Sequence, residues 1–370
     1  MPNFYLLTHV RFAPGALQDL PQELERLGVR KPLIVTDPGL ARLGLADRAA
    51  ALIGTAAIFA DTPENPTEAA VDAALTAFRA NGCDGIVAIG GGSAMDLGKA
   101  LGVMATHPGR LIDYDVTQPS FKPVGTITPL VVVPTTAGTG TEVGVGCVII
   151  LDNGHKGIID SFGLIPASVL CDPELTVSLP PRLTAATGMD ALSHCIEGVF
   201  STLDNPPVEA IALDGCRRIV GAIERACSHP DDLSARAEMM WGSLAGGYAM
   251  LMELGAIHGL SVPIGALHHA HHGALTAAVM GNVTRLNSTL APQKAARLRQ
   301  AMSVPEGQDL GDFVNGLCDR LGLSRRLRDF GLQQSEFAGL AAEAEASAFN
   351  ITNPKPLPSE AYLRLLEESW

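Results

Sequence analysis

"GIVAIGGGSAMDLGKA", Gly85–Ala100, is the stretch that decides how this chain is read. Its first residues form a short apolar run of the kind that suits a strand buried on both faces. Gly90, Gly91 and Gly92 follow, and then a helical pattern begins. Glycines there let the backbone come close to a ligand. Ser93 is placed to cap the helix, whose first N–H groups would face an anion. The run is neither a GxGxxG fingerprint nor a Walker loop, since no Lys-Ser/Thr follows a GxxxxG. A phosphate-binding turn is one reading. A tight strand-to-helix turn without a ligand is the other.

The same alternation recurs on both sides. "PLIVTD" (Pro32–Asp37), "AAIFAD" (Ala56–Asp61), "PLVVVPTT" (Pro129–Thr136) and "VGCVIILD" (Val145–Asp152) read as further strands. "PTEAAVDAALTAFRANG" (Pro66–Gly82) reads as a helix, with Thr67 as its N-cap and Gly82 as the left-handed residue after its end. Strands alternating with helices imply an α/β, Rossmann-like doubly wound sheet over residues 1–180. After "LCDPELTVSLPPRLTA" (Leu170–Ala185) the strand signal almost stops. Residues 181–370 read as an all-α domain, and the boundary is expected near Pro180–Pro181.

Composition excludes several classes of function. The 370 residues are 47% hydrophobic and 18% charged, which favours a globular chain with a large core over disorder. The net charge is −13 and there is no basic run, so nucleic acid and anionic membrane surfaces are poor partners. The N-terminal "MPNFYLLTHVRFAPG" lacks the layout of a signal peptide, and no apolar run reaches the ~20 residues of a membrane span. Seven cysteines, scattered and never in a CxxC pair, read as reduced thiols of a cytoplasmic protein.

A second polar turn, "PTTAGTGTEVG" (Pro134–Gly144), also ends an apolar strand. Thr135, Thr136, Thr139 and Thr141 offer hydroxyls there, and Gly138 and Gly140 offer open backbone. Two such turns at strand C-termini would face one crevice, which makes a dinucleotide the expected ligand. Asp37 ends an earlier strand, where a carboxylate can accept from an adenosine 2′-hydroxyl and would repel a 2′-phosphate. That favours NAD over NADP. The alternative for Asp37 is a helix N-cap ahead of Pro38.

The helical half carries a different chemistry. In "TGMDALSHCIEG", Asp190 and His194 are four apart, so they stack on one helix face and can chelate one divalent ion. Most such pairs are only a polar face, and this one needs partners. "IHGLSVPIGALHHAHHG" (Ile257–Gly273) holds five of the ten histidines. "SVPIG" is expected to break any helix there, with the chain restarting at "HHGALTAAVM". His258 and His272 could bracket the turn and point at the same ion. Chemistry alone does not choose His272 over His268, His269 or His271, and a solvent-exposed loop is the plainer reading of each. One carboxylate and three neutral imidazoles suit Fe(II) or Zn(II).

The order "GGGSAMDLGKA", "PTTAGTGTEVG", "DPELT…LP…TAATGMDALSHCIE" and "HGLSVPIG…HHG" resembles the iron-containing (group III) alcohol dehydrogenases, over nearly the whole chain. The resemblance implies an NAD-binding α/β domain followed by a helical, metal-binding domain, and a homodimer or larger homo-oligomer. It implies metal ligands at Asp190, His194, His258 and His272. It implies cofactor contacts at Asp37, Gly91, Gly92, Ser93, Asp96, Thr135, Thr136, Thr139 and Lys156. The family pattern reads "HGxxHPxG", and here Val262 replaces the second histidine, so the usual proton path is altered. His268 or His269 is the expected substitute. Within the family, "LIVTDPGLA", "GCDGIVAIGGGSAMDLGKALGVMATHPG" and "PPRLTAATGMDALSHCIEG" are most similar to 4-hydroxybutyrate dehydrogenases, which implies hydride exchange between 4-hydroxybutyrate and succinate semialdehyde. Two other classes compete: a metal- and NAD-dependent lyase of the dehydroquinate synthase type, and an NAD-binding family member whose catalysis has decayed.

Overall fold

The computed structural model describes residues 8–268 and 270–370. They form two units. One is built on a sheet and comprises residues 8–136 together with Thr141–Thr176. The other is helical and comprises Ala137–Gly140 and Val177–Trp370.

The strands are β1 (His9–Phe12), β2 (Pro32–Val35), β3 (Ala57–Phe59), β4 (Gly85–Gly90), β5 (Leu130–Pro134), β6 (Gly146–Ile150), β7 (Lys156–Asp160) and β8 (Ser168–Cys171). Six of them lie parallel in the order β1-β8-β5-β4-β2-β3. β2, β4, β5 and β8 are buried along their whole length, which is why their sequences are apolar without alternation. From β2 the chain moves outward to β3; from β4 it moves the other way, to β5. The sheet therefore reverses between β2 and β4, and ligands of open α/β sheets bind beyond the carboxyl ends of such a strand pair.

The helix Glu68–Ala80 has the expected ends. Thr67 accepts from the Ala70 N–H at 3.2 Å, and Gly82 sits at φ 61°. Three expectations need correcting. "VGCVIILD" is a strand, but β6 pairs antiparallel with β7 in a separate hairpin instead of joining the sheet. Its apolar run hid a one-sided strand: Cys147 and Ile149 are buried, whereas the alternate Val148 is exposed. Second, β1 and β8 gave no strand signal clear enough to place them. Third, the chain does not break at "SVPIG".

The helix Ala256–His268 runs through Pro263 and ends five residues later. Proline there removes a backbone bond and costs about 3 kcal/mol. Ile257, Leu260 and Ile264 are buried around it and offset that cost. In the same unit, the helix Pro181–Phe200 is buried from Thr184 almost continuously to its end. Among the described residues, no single helix is long and apolar enough to cross a membrane.

Candidate active site

In the sheet unit, β2 and β4 deliver Asp37 and the glycine turn to adjacent strand ends. The helix Gly92–Thr106 starts directly after β4, with Gly91 as N-cap and no side chain capping it. Ser93 lies inside the first turn, and its hydroxyl donates to the Glu64 carbonyl, so it does not act as the cap. The first N–H groups of this helix are thus left for an anion. Gly90 has φ 154°, a conformation in which side chains are strained, and a Cβ on it would come 2.8 Å from the Ala94 Cβ. A Cβ on Gly91 would meet only Thr136, at 3.4 Å.

Asp37 caps the next helix, Pro38–Arg42, through Oδ1, which accepts from Gly39 at 2.7 Å and Leu40 at 3.0 Å. The Thr135 N–H donates to the Gly90 carbonyl at 2.9 Å, tying the threonine turn to the glycine turn. Thr139 falls in the short segment that groups with the helical unit. Both oxygens of Asp96 are taken up inside the sheet unit, by the Thr141 hydroxyl at 2.8 Å and the Val148 N–H at 3.1 Å. Beside it the buried Lys99 donates to Thr141 and to the carbonyls of Gly144 and Gly146. Burial pushes the Asp96 carboxyl up and the Lys99 ammonium down. Lys156 opens β7 opposite Ile150, and burial lowers its ammonium too.

In the helical unit, the structure brings Asp190, His194 and His258 together, with ligand-type atoms all within 4.8 Å of one another. His272 joins them, its Nε2 lying 3.4 Å from Asp190 Oδ1. The His194 and His258 rings stack with centroids 5.0 Å apart, and His258 and His272 lie at 5.4 Å. Two glycines make the approach possible. A Cβ on Gly246 would lie 3.3 Å from the His194 Cβ, and one on Gly273 would lie 2.3 Å from the Ala186 carbonyl oxygen.

Three atoms of this cluster, Asp190 Oδ1, His194 Nδ1 and His258 Nε2, are buried with no hydrogen-bond partner. Native proteins rarely leave such atoms unpaired. The His194 nitrogen that faces Asp190 Oδ1 is Nε2, at 4.0 Å. Burial drives the His194 pKa down to about 4, so its imidazole is neutral at ordinary pH. Burial also pushes the Asp190 carboxyl up, but the imidazoles of His272, His194, His258 and His271 outweigh that and hold it below its usual range. A carboxylate and imidazoles that give up their protons on binding are a donor set for a divalent ion.

Other histidines have other partners. His268 Nε2 lies 3.1 Å from Glu336 Oε2. His271 is the N-cap of the helix His272–Leu290, accepting from Ala274 at 3.4 Å. His269 lies outside the described residues.

Sequence reasoning missed Glu197. It is buried, and its Oε2 sits 2.5 Å from His258 Nδ1. Its Oε1 accepts from the N–H groups of Ile257 at 2.7 Å and His258 at 3.3 Å. Burial would lower the His258 pKa, but Glu197 overrides it and raises it. The available signal was spacing: Asp190, His194 and Glu197 repeat at four and three residues, one stripe of a helix.

A parallel sheet with an uncapped glycine turn, and a buried carboxylate–imidazole cluster in a helical unit, define an α/β-plus-helical protein with a candidate metal site. The family model for iron-containing alcohol dehydrogenase matches residues 8–173, and that for the C-terminal part of the Fe-containing alcohol dehydrogenase family matches residues 184–370. The chain belongs to the iron-containing alcohol dehydrogenase family, and is an oxidoreductase acting on alcohols.

It is 44% identical to a 4-hydroxybutyrate dehydrogenase of Cupriavidus necator, with 100% of both chains covered. It is 33% identical to a 1,3-propanediol dehydrogenase of Klebsiella pneumoniae, over 95% of this chain and 94% of that one. Among solved structures it resembles a 1,3-propanediol oxidoreductase, with a TM-score of 0.95 at 31% identity and full coverage of both. It also resembles a sulfoacetaldehyde reductase of Bifidobacterium kashiwanohense in complex with NAD+, with a TM-score of 0.93 at 28% identity over 100% of this chain and 98% of that one.

Proposed function

We propose that the protein interconverts 4-hydroxybutyrate and succinate semialdehyde, using NAD and one Fe(II) ion, with Zn(II) as the alternative. The 44% identity to the Cupriavidus necator 4-hydroxybutyrate dehydrogenase, end to end, carries the substrate assignment. The unpaired Asp190 Oδ1 and His258 Nε2, in a cluster whose ligand-type atoms lie within 4.8 Å of one another, support the metal. Asp190, His194, His258 and His272 would hold it. When bound, such an ion supplies Lewis acidity toward a substrate oxygen, and nicotinamide supplies the hydride carrier.

The protein's own part is placement and charge. Asp190 brings one negative charge into the cluster, and the neutral His194 keeps a lone pair available. Gly91 and Gly92 would open the backbone to a pyrophosphate at the uncapped helix start, and Ser93, Thr135, Thr136, Thr139 and Lys156 are kept as proposed cofactor contacts on the family resemblance. Asp37 would take a ribose hydroxyl, which favours NAD over NADP. For proton transfer we retain His268 and His269, since Val262 offers no proton. Glu336 gives His268 the carboxylate partner that a relay uses. The seven cysteines are all unpaired among the described residues, which supports a cytoplasmic enzyme, and we propose that it works as a homo-oligomer.

The test is metal content after purification without chelator, followed by NADH formation on a series of ω-hydroxy acids, diols and simple alcohols. The expected result is near-stoichiometric metal and the highest kcat/KM on 4-hydroxybutyrate with NAD. A higher kcat/KM on 1,3-propanediol would overturn the substrate. Turnover unaffected by complete metal removal would overturn the metal.

A further inference from the structure

We propose that Glu197 is a positioning residue that decides which nitrogen of His258 faces the cluster, and thereby sets the affinity of the site for its ion. The proposal rests on the metal reading given above. A neutral imidazole has one N–H and one lone pair, and an ionised carboxylate only accepts. With Glu197 Oε2 2.5 Å from Nδ1, the proton belongs on Nδ1. Nε2 then carries the lone pair, and Nε2 is the buried atom that has no partner in the protein.

The carboxylate is not free to turn away. Its other oxygen accepts from the N–H groups of Ile257 and His258, in the first turn of the helix Ala256–His268. Asn353 Oδ1 accepts the remaining early N–H, that of Ala256, at 3.4 Å. A helix normally leaves these groups to a cap beside it in sequence. Here a carboxylate sixty residues away closes the helix start and fixes the ring on that same first turn. Gly255 leaves it room, since a Cβ there would stand 3.1 Å from Glu197 Oε1.

Glutamine at position 197 separates the two duties. Its amide has one oxygen and one NH2. With the oxygen on the backbone N–H groups, the NH2 faces Nδ1 and donates to it. The ring proton then moves to Nε2, and the lone pair is lost to the cluster. The flipped amide would set its NH2 against two buried N–H donors, so the first arrangement prevails. Glu197→Gln therefore keeps the helix cap and inverts the tautomer. A residue with a merely structural role would leave the tautomer and the ion affinity unchanged.

The experiment uses metal-free wild type, Glu197→Gln, Glu197→Asp and His258→Ala. Each is titrated with Zn(II), and anaerobically with Fe(II), against a competing chelator. Long-range ¹⁵N–¹H spectra of histidine-labelled protein, recorded at a pH where the ring is neutral, report the His258 tautomer. We expect one ion per wild-type chain, about 10–100-fold weaker binding in Glu197→Gln, and a switch from Nδ1–H to Nε2–H. Glu197→Asp, which keeps the charge with a shorter reach, should fall between them. Wild-type affinity and an unchanged tautomer in Glu197→Gln would overturn the proposal. Should that variant fail to fold, an Nε2–H tautomer in metal-free wild type would overturn it equally. A wild type that takes up no ion would instead defeat the metal reading, and the role assigned to Glu197 with it.

Discussion

Glu23 in the sheet unit and Asp190 in the helical unit are both buried carboxylates, and their surroundings are opposite. Glu23 accepts from Arg11 at 2.6 Å, Arg26 at 2.9 Å, the Ser168 hydroxyl at 2.9 Å and His9 at 3.1 Å. Every one of those bonds ties β1 or β8 to the helix Leu20–Arg26 or lies within that helix. Asp190 Oδ1 has no hydrogen-bond partner and faces the His272 and His194 imidazoles at 3.4 and 4.0 Å, and His258 Nε2 in the same cluster is unpaired as well. Burial is therefore not the mark of a functional charge. A satisfied buried carboxylate holds a structure together, and an unsatisfied one among convergent lone pairs waits for something else.

The largest effect expected from this contrast is at Asp190. Asp190→Asn is nearly isosteric but removes the negative charge. Metal content should collapse, and kcat/KM should fall roughly 10³-fold or more, since Lewis acidity is worth several kcal/mol. Tm of the metal-free chain should change little, because asparagine keeps the shape of the side chain and the neighbouring imidazoles already offset the cost of burying it. Normal metal loading in this variant would break the contrast, and so would a large drop in Tm.

Glu23→Gln is the mirror experiment. Its arginine partners are partly exposed, so the loss should be at the lower end for a broken buried pair, about 2–3 kcal/mol. Tm should drop by several degrees, while kcat and metal content stay unchanged. A tenfold fall in kcat with an unaltered Tm would show that Glu23 does something other than hold β1 and β8 in place.

A smaller effect should separate two adjacent glycines. Gly91→Ala adds a methyl that meets only Thr136, at 3.4 Å, so the free protein should keep its Tm. The same methyl stands where a pyrophosphate would approach, and KM for NAD should rise about tenfold, worth some 1.4 kcal/mol. Gly90→Ala should do the reverse and lower Tm, because φ 154° and the 2.8 Å approach to Ala94 strain any side chain there. Unchanged KM for NAD in Gly91→Ala would count against a dinucleotide at this turn.

These cases also show what could be read without coordinates. Periodicity exposed β2, β4 and β5, because parallel strands buried on both faces are apolar throughout. It misplaced β6, whose exposed Val148 is as apolar as its buried neighbours. The pairing of Asp190 with His194 was legible because helical spacing is local. Choosing His258 and His272 from five histidines rested on family resemblance, since their meeting depends on how three helices pack. Glu197 was legible only as the third member of the Asp190–His194 stripe, and the duty of neither Glu197 nor Glu23 could be read. The partners of Glu197 lie some sixty residues away, those of Glu23 come from two strands as well as its own helix, and a lone glutamate in a helical pattern looks like solvent-exposed charge. Pro263 misled because proline's local cost was visible and the burial that offsets it was not.

The smallest expected effect tests the sign of the Glu23 argument through pH. Burial pushes its carboxyl up, but Arg11, Ser168 and Arg26 more than reverse that, and the pKa falls from 4.5 to about 2. In this range the unfolded chain takes up the proton that the folded chain refuses. The stabilisation is therefore complete above pH 4.5 and is lost as pH falls from there through about 2. Solvent around the two arginines reduces the contribution to about 1–2 kcal/mol. Urea midpoints should fall more steeply for wild type than for Glu23→Gln as pH is lowered from 5 to 3, so the two curves converge towards acid. Parallel curves would mean that the glutamate's ionisation is not what clamps the strands. The comparison with Asp190 would then have to rest on hydrogen-bond count and not on charge.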